Sequence, residues 1–210
     1  CIYAKNHLPR TVFVVQRCIF IHFICQIRRI RHHTVHKGHQ LSVFKQQPEM
    51  IAICCDPLCK FFLRSRLCRR KNLYLFLDGA RLGSALTSSA NDLTLADLAD
   101  LTDVFYIGGT KNGALMGEAL VIRNDRIKED FRYFIKQNGA LLAKGWLLGI
   151  QFETLFTDGL FYEMASHANE MAQFIRQGFT DRGFSFLAPS LSNQLFPIVD
   201  DRLAEILMGQ

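Results

Sequence analysis

The sequence predicts an α/β fold, and three observations carry that prediction. Leu73 to Leu77 is a continuous apolar run that stops at Asp78-Gly79, and Val104 to Ile107 is a second such run, stopped by Gly108-Gly109. Between them Leu95, Leu98 and Ala99 recur at helical spacing. Short apolar runs closed by glycine read as strands buried on both faces. A strand, a helix and a strand within about 35 residues make a crossover unit, and such units build parallel sheets.

The remaining elements follow in order. Asn91-Asp92 offers the cap for a helix over Leu93 to Leu101. Glu118 to Ile122 returns as a third strand after the Gly113 to Gly117 loop, too soon for a helical crossover and therefore antiparallel to its neighbour. Asn124 caps a helix from about Arg126 to Gln137, and longer helical patterns run from Leu142 to Phe156 and from Leu160 to Gly178. Phe184 to Leu187 and Leu195 to Val199 read as strands of a smaller second layer, and a last helix starts at Arg202.

Composition divides the chain at Asn72. Residues 1–72 hold fourteen Lys or Arg against only Glu49 and Asp56, a balance of +12, while the rest of the chain balances at −6. All seven cysteines (Cys1, Cys18, Cys25, Cys54, Cys55, Cys59, Cys68) and every histidine but His167 lie in the basic part. Two stretches with such different charge, Cys and His content were shaped by different constraints. Within residues 1–72 the local signals conflict: Val12 to Ile27 is strand-like in composition but scattered with charge, and Arg28 to His39 has no apolar periodicity. Conflicting local signals argue against a well-defined fold there.

Several function classes lose ground on the same composition. The run Val12 to Ile27 is broken by Gln16, Arg17 and His22, short of the ~20 apolar residues a spanning helix needs. No secretory signal is recognisable around it, so the expected location is the cytoplasm, with the thiols reduced. His32, His33, His36 and His39 lie near Cys54, Cys55, Cys59 and Cys68, but no cysteines stand at Cys-x2-Cys spacing, so no metal is expected. Arg28-Arg29-x-Arg31 and Arg64 to Lys71, with Phe61 and Phe62 beside it, are basic runs. Charge alone gives only salt-sensitive, sequence-independent nucleic-acid affinity, so that role ranks low.

The residues that carry chemistry follow the two parallel strands. In such sheets the ligand crevice lies outside the carboxyl ends of the strands, so Asp78 and Lys111 are delivered to one edge. Lys111 sits between Gly108-Gly109-Thr110 and Asn112-Gly113-Ala114, which add little bulk around a bound ring. A lysine that forms a Schiff base and a carboxylate that keeps a pyridine nitrogen protonated are what pyridoxal phosphate takes from its protein. On the residues alone, Asp-Gly also reads as a plain turn and Lys111 as a solvated side chain. Arg81 equally reads as a helix-start arginine, Thr110 as a hydroxyl satisfying its own loop, and Lys144 and His167 as surface groups.

Leu-Tyr-Leu-Phe-Leu-Asp-Gly-Ala-Arg-Leu-Gly-Ser-Ala (73–85), followed by Asp-Val-Phe-Tyr-Ile-Gly-Gly-Thr-Lys-Asn-Gly (103–113), resembles the threonine aldolase and beta-eliminating lyase family. Its signatures are Asp-Gly-Ala-Arg after one strand and Ser- or Thr-Lys after the next. The resemblance covers about 73–199. It implies pyridoxal 5'-phosphate as cofactor, with Lys111 holding the aldimine and Asp78 binding the ring nitrogen. Arg81 then lies near the substrate carboxylate or the cofactor's phenolic oxygen, and Thr110 reaches the phosphate. The implied fold is a partial three-layer, aspartate-aminotransferase-like large domain with a truncated small domain. The implied reaction cleaves a beta-hydroxy amino acid to glycine and an aldehyde, with beta-elimination as the alternative chemistry, on a small-molecule amino-acid substrate and in a homo-oligomer.

The departures matter as much. The common lysine loop is Ser-Lys-Gly-Leu-Gly, whereas this one reads Thr-Lys-Asn-Gly-Ala-Leu-Met-Gly-Glu. The family's N-terminal part brings a glycine-rich phosphate turn and a ring that stacks on the cofactor, yet Gly38 is the only glycine of residues 1–72. The chain also ends at Gln210, before the family's small-domain arginine. Three parts are therefore expected: a basic segment 1–72 unlike the family, arising from a frame shift or fusion or disordered; a partial cofactor-binding domain 73–140; and helices with a truncated small domain 141–210. Such a fragment is expected to bind the cofactor weakly or not at all, and a non-enzymatic remnant whose basic extension binds nucleic acid weakly is the third reading.

Overall fold

The computed structural model describes residues 12–15, 40–43 and 58–209. The histidine cluster, Cys54-Cys55 and the run Arg28 to Arg31 lie outside them. In chain order the elements are β1 (Val12–Val15), β2 (Gln40–Val43), α1 (Leu58–Arg70), β3 (Leu73–Leu77), α2 (Leu82–Leu86), α3 (Leu95–Leu101) and β4 (Val104–Gly108). They continue with β5 (Glu118–Ile122), α4 (Asp125–Lys128), α5 (Phe131–Gln137), α6 (Trp146–Phe156), α7 (Leu160–Thr180) and α8 (Asp201–Met208).

The strands form one five-stranded sheet in the order β1-β5-β4-β3-β2. β2, β3 and β4 run parallel, β5 is antiparallel to β4 as its short connection requires, and β1 is antiparallel to β5. β4 and β5 are buried along their whole length, which is why Val104 to Ile107 and Ala119 to Ile122 read as apolar runs.

Strand periodicity sorts the core into two layers. Leu75, Phe105, Ile107, Ala119 and Val121 face one side, where they pack with Phe61 and Cys68 of α1, Leu95 and Leu98 of α3, Phe152 of α6 and Phe161 of α7. Phe76, Val104, Tyr106, Leu120 and Ile122 face the other side and meet Phe131 and Ile135 of α5. The result is the three-layer arrangement that the motifs implied.

Besides the two edge strands β1 and β2, which fall in the stretch expected to lack a well-defined fold, four details differ from the sequence reading. Helix α3 starts at Leu95, not Leu93, because Thr94 makes a reciprocal capping box with Asp97, while Asn91 Oδ1 accepts from Leu93 N in the preceding turn. The helix expected over 126–137 is two pieces, α4 and α5, broken where Asp130 takes a φ of 56°. The two strands expected near the C-terminus reduce to one bridge, Phe186 to Pro197.

The fourth difference is that the charge boundary at Asn72 is not a packing boundary. Phe61, Ser65 and Cys68 of α1 are buried, and Arg69 Nη2 donates to the Asp100 carbonyl at 2.8 Å. Their spacing puts one narrow apolar face on a strongly basic helix, a signal that the charge around it concealed. Burial also pushes the Cys68 thiol pKa up, with Asp103 adding to the effect.

Candidate active site

β3 and β4 are parallel neighbours, with Phe76 opposite Val104 and Leu77 opposite Phe105. Their carboxyl ends therefore deliver the Asp78 turn and the Lys111 loop to the same edge of the sheet. The two chain segments touch there: Gly108 N donates to the Gly79 carbonyl at 2.9 Å. A Cβ on Gly79 would lie 1.7 Å from the Tyr106 carbonyl oxygen and one on Gly108 2.4 Å from that of Ala80. Only glycine lets the backbones approach this closely.

Asp78 is half-buried at the end of β3. By strand parity it shares a face with Phe76 and Tyr106, whose rings stack at 6.3 Å. The Tyr106 hydroxyl donates to Asp78 Oδ1, and Ala80 N donates to the same oxygen at 3.1 Å. Among the described residues no protein donor reaches Oδ2. The carboxylate is thus fixed through one oxygen.

Lys111 is exposed on the loop between β4 and β5, beside exposed Thr110. The neck of this loop is closed by Glu118, a buried carboxylate that accepts from Gly109 N at 2.9 Å. Two further tethers hold the loop from outside. Gln151 Oε1 of α6 accepts from Leu115 N at 2.7 Å, and Asn112 Nδ2 donates to the Phe161 carbonyl of α7 at 2.8 Å.

Arg81 stands at the N-cap position of α2 directly after the Asp78 turn, makes no side-chain cap bond, and is half-buried. Lys144, in the turn before α6, and His167, on α7, are both exposed. The edge therefore gathers Asp78, Arg81, Thr110 and Lys111 from two adjacent segments.

Tyr106, Glu118 and Asn112 were missed in the sequence. Tyr106 stood in an apolar strand and read as core, although a buried tyrosine hydroxyl needs a partner. Glu118 opened an otherwise apolar strand, and a carboxylate there signals a hydrogen bond the strand itself does not make. Asn112 had no local signal, since its partner lies far along the chain on α7.

A three-layer sheet with Asp and Lys on adjacent parallel strand ends defines a class, the aspartate-aminotransferase-like fold, here present in part. The match to a solved threonine aldolase structure from Leishmania major agrees, with a TM-score of 0.71 and 52% identity over 74% of this chain and 45% of that one. The chain belongs to the beta-eliminating lyase family, whose profile matches residues 64–201. It is 34% identical over 149 residues to a low specificity L-threonine aldolase of Pseudomonas sp. (strain NCIMB 10558). It is 31% identical over 147 residues to a low specificity L-threonine aldolase of Pseudomonas aeruginosa. These matches cover 70% of this chain and 42% of each relative, so the chain spans well under half the length of these curated proteins. The family is one of pyridoxal-phosphate enzymes that act on amino acids. Among the described residues no helix is long and apolar enough to cross a membrane, and no His, Cys, Asp or Glu group is built to hold a metal.

Proposed function

We propose that the chain carries the reactive edge of a pyridoxal-phosphate-dependent carbon-carbon lyase that cleaves beta-hydroxy amino acids to glycine and an aldehyde. The observation that carries this reading is the state of Asp78: its Oδ1 is held by two protein donors and its Oδ2 is left for the N–H of a heterocycle. The donor set suits the cofactor, with a carboxylate, a primary amine, a hydroxyl and a guanidinium on one sheet edge.

When bound, the cofactor supplies a ring that accepts the electron pair released at the substrate's alpha carbon. Asp78 would hold the proton on the pyridine nitrogen, its direction set by Tyr106 and the Ala80 amide. Lys111 Nζ would hold the cofactor's aldehyde carbon and would carry a proton at the alpha carbon. Arg81 would bind the substrate carboxylate or the phenolic oxygen, and Thr110 the phosphate. The names of the three relatives favour aldol cleavage, and the family's name keeps beta-elimination as the second reading.

Residues 1–72 contain Gly38 alone of the glycines that phosphate-binding turns use. Each missing charge-assisted hydrogen bond costs about 1.5–3 kcal/mol, so this chain by itself is expected to lose the cofactor on dialysis. The intact assembly is proposed to be a homo-oligomer. Exposed Leu115 and Met116, tied to α6 by Gln151 beside exposed Trp146, Leu147 and Ile150, give it an apolar face for a second copy.

The test is product analysis of the full chain with excess pyridoxal phosphate and either L-threonine or L-serine. Glycine and acetaldehyde from threonine, absent in Lys111→Ala, support the aldolase reading. Pyruvate and ammonia from serine, without aldehyde from threonine, move the assignment to beta-elimination. No product from either amino acid at saturating cofactor makes the chain a non-enzymatic remnant.

A further inference from the structure

Asn112, next to Lys111, ties the lysine loop to α7 by a hydrogen bond and packs its amide against α2. Its Nδ2 donates to the Phe161 carbonyl in the first turn of α7 at 2.8 Å, and its backbone N–H closes the loop on the Gly109 carbonyl at 2.9 Å. Its Oδ1 lies against Gly83 of α2, where a Cβ would come within 3.0 Å of that oxygen and 3.1 Å of the Ala165 methyl on α7. The Asn112 amide is thus held between α2, the helix that the Asp78 turn enters, and α7. Those two helices are themselves joined by Asn169 of α7, whose Oδ1 accepts from Ser84 Oγ at 2.5 Å and whose Nδ2 donates to the Ser84 carbonyl at 2.9 Å.

We propose that Asn112 is a positioning residue that sets the separation of Lys111 from Asp78, by locking the lysine loop and the Asp78 helix onto α7. The inference rests on the reading of Lys111 and Asp78 as the two protein contacts of a rigid cofactor ring. A rigid ring spans a preset distance, and a misplacement of about 1 Å costs on the order of a hundredfold in a reaction that needs alignment.

Three variants of the full chain test it. Asn112→Asp keeps the shape but has no donor for the Phe161 carbonyl, Asn112→Ala removes the amide, and Gly83→Ala crowds that amide at 3.0–3.1 Å while leaving residue 112 intact. The first readout is hydrogen exchange of the 108–118 peptide without cofactor, which should quicken about fivefold to tenfold in each variant, as the loss of one hydrogen bond implies. The second is the amount of pyridoxyl label that borohydride fixes on Lys111 in excess pyridoxal phosphate, relative to exposed Lys144. That ratio should fall about tenfold or more in each variant, whereas a general loosening would move both lysines together.

Unchanged loop exchange in Asn112→Asp and Gly83→Ala overturns the clamp. Faster exchange with an unchanged Lys111 to Lys144 ratio overturns the positioning role. If the unaltered chain labels Lys111 no better than Lys144, the cofactor reading fails and the positioning role with it, while the exchange data still show whether the clamp exists.

Discussion

Two aspartates flank the β3–β4 pair at opposite edges of the sheet, and they are used differently. Asp103, at the entry to β4, has both oxygens occupied by the protein: Oδ2 accepts from Leu75 N at 2.7 Å and Oδ1 from Asn124 Nδ2 at 2.7 Å. Its own backbone completes the junction, receiving Arg123 N at 2.8 Å and donating to the Leu75 carbonyl at 3.0 Å. Asp78, at the exit of β3, has both donors on Oδ1. A carboxylate with both oxygens engaged by the protein is a structural clasp, and one anchored through a single oxygen leaves its other oxygen open. The difference lies in hydrogen-bond accounting, since burial is similar: both residues are half-buried.

The contrast is most open to attack at Asp103. Asp103→Ala should destabilise the chain by about 2–3 kcal/mol, because two hydrogen bonds to a charged acceptor are lost and the Leu75 N–H loses its partner. Urea denaturation measures this, and a shift below about 1 kcal/mol would remove the clasp interpretation. At the Asp78 edge the support comes from further away. Asn169→Ala should cost about 2 kcal/mol, since the Ser84 hydroxyl loses the acceptor for its proton and the Ser84 carbonyl its Asn169 donor, in a buried site between α2 and α7. Its denaturation midpoint should move accordingly.

A smaller effect belongs to α3, which leads into the Asp103 junction. Thr94→Ala removes a helix cap worth about 1 kcal/mol. The Thr94 hydroxyl, and then its backbone N–H, hold the Asp97 carboxyl below its ordinary pKa. A carboxylate with a lowered folded-state pKa stabilises the fold above its unfolded value of about 3.9 and loses that contribution as pH falls through the folded value. The gap between Thr94→Ala and the unaltered chain should therefore be largest at neutral pH and narrow below about pH 3.9. A gap that does not change with pH would show that Asp97 takes no part.

The smallest change in stability should come from Asp78→Asn, less than about 0.5 kcal/mol, because the acceptor on Oδ1 survives the substitution. The same variant should reduce pyridoxyl labelling of Lys111, since an amide N–H2 in place of Oδ2 no longer accepts from a ring nitrogen. Large destabilisation in this variant would make the two aspartates equivalent and end the comparison.

Legibility in the sequence followed the range of the interaction. Leu73–Leu77, Glu118–Ile122 and the starts of β4 and α7 stand where apolar runs and glycine stops put them, since largely buried strands carry few polar residues to blur the pattern. The break at Asp130 was hidden because helical periodicity continues across it, and the left-handed φ has no signature in a lone aspartate. Asp78 and Lys111 were visible as residues with chemistry at strand ends, whereas Tyr106, Glu118 and Asn112 were not, because each acts on a group beyond its own turn.

By itself the sequence determined three of the five strands, β3, β4 and β5, their parallel or antiparallel sense, and the edge to which Asp78 and Lys111 are delivered. Those properties follow from local apolar periodicity and connection length, which are written along the chain. Tertiary structure decided which oxygen of Asp78 stays open, that α1 joins the core despite its charge, and that Asn112 meets α7. Each of those depends on a partner distant in sequence, and only packing of the layers brings such partners within hydrogen-bonding reach.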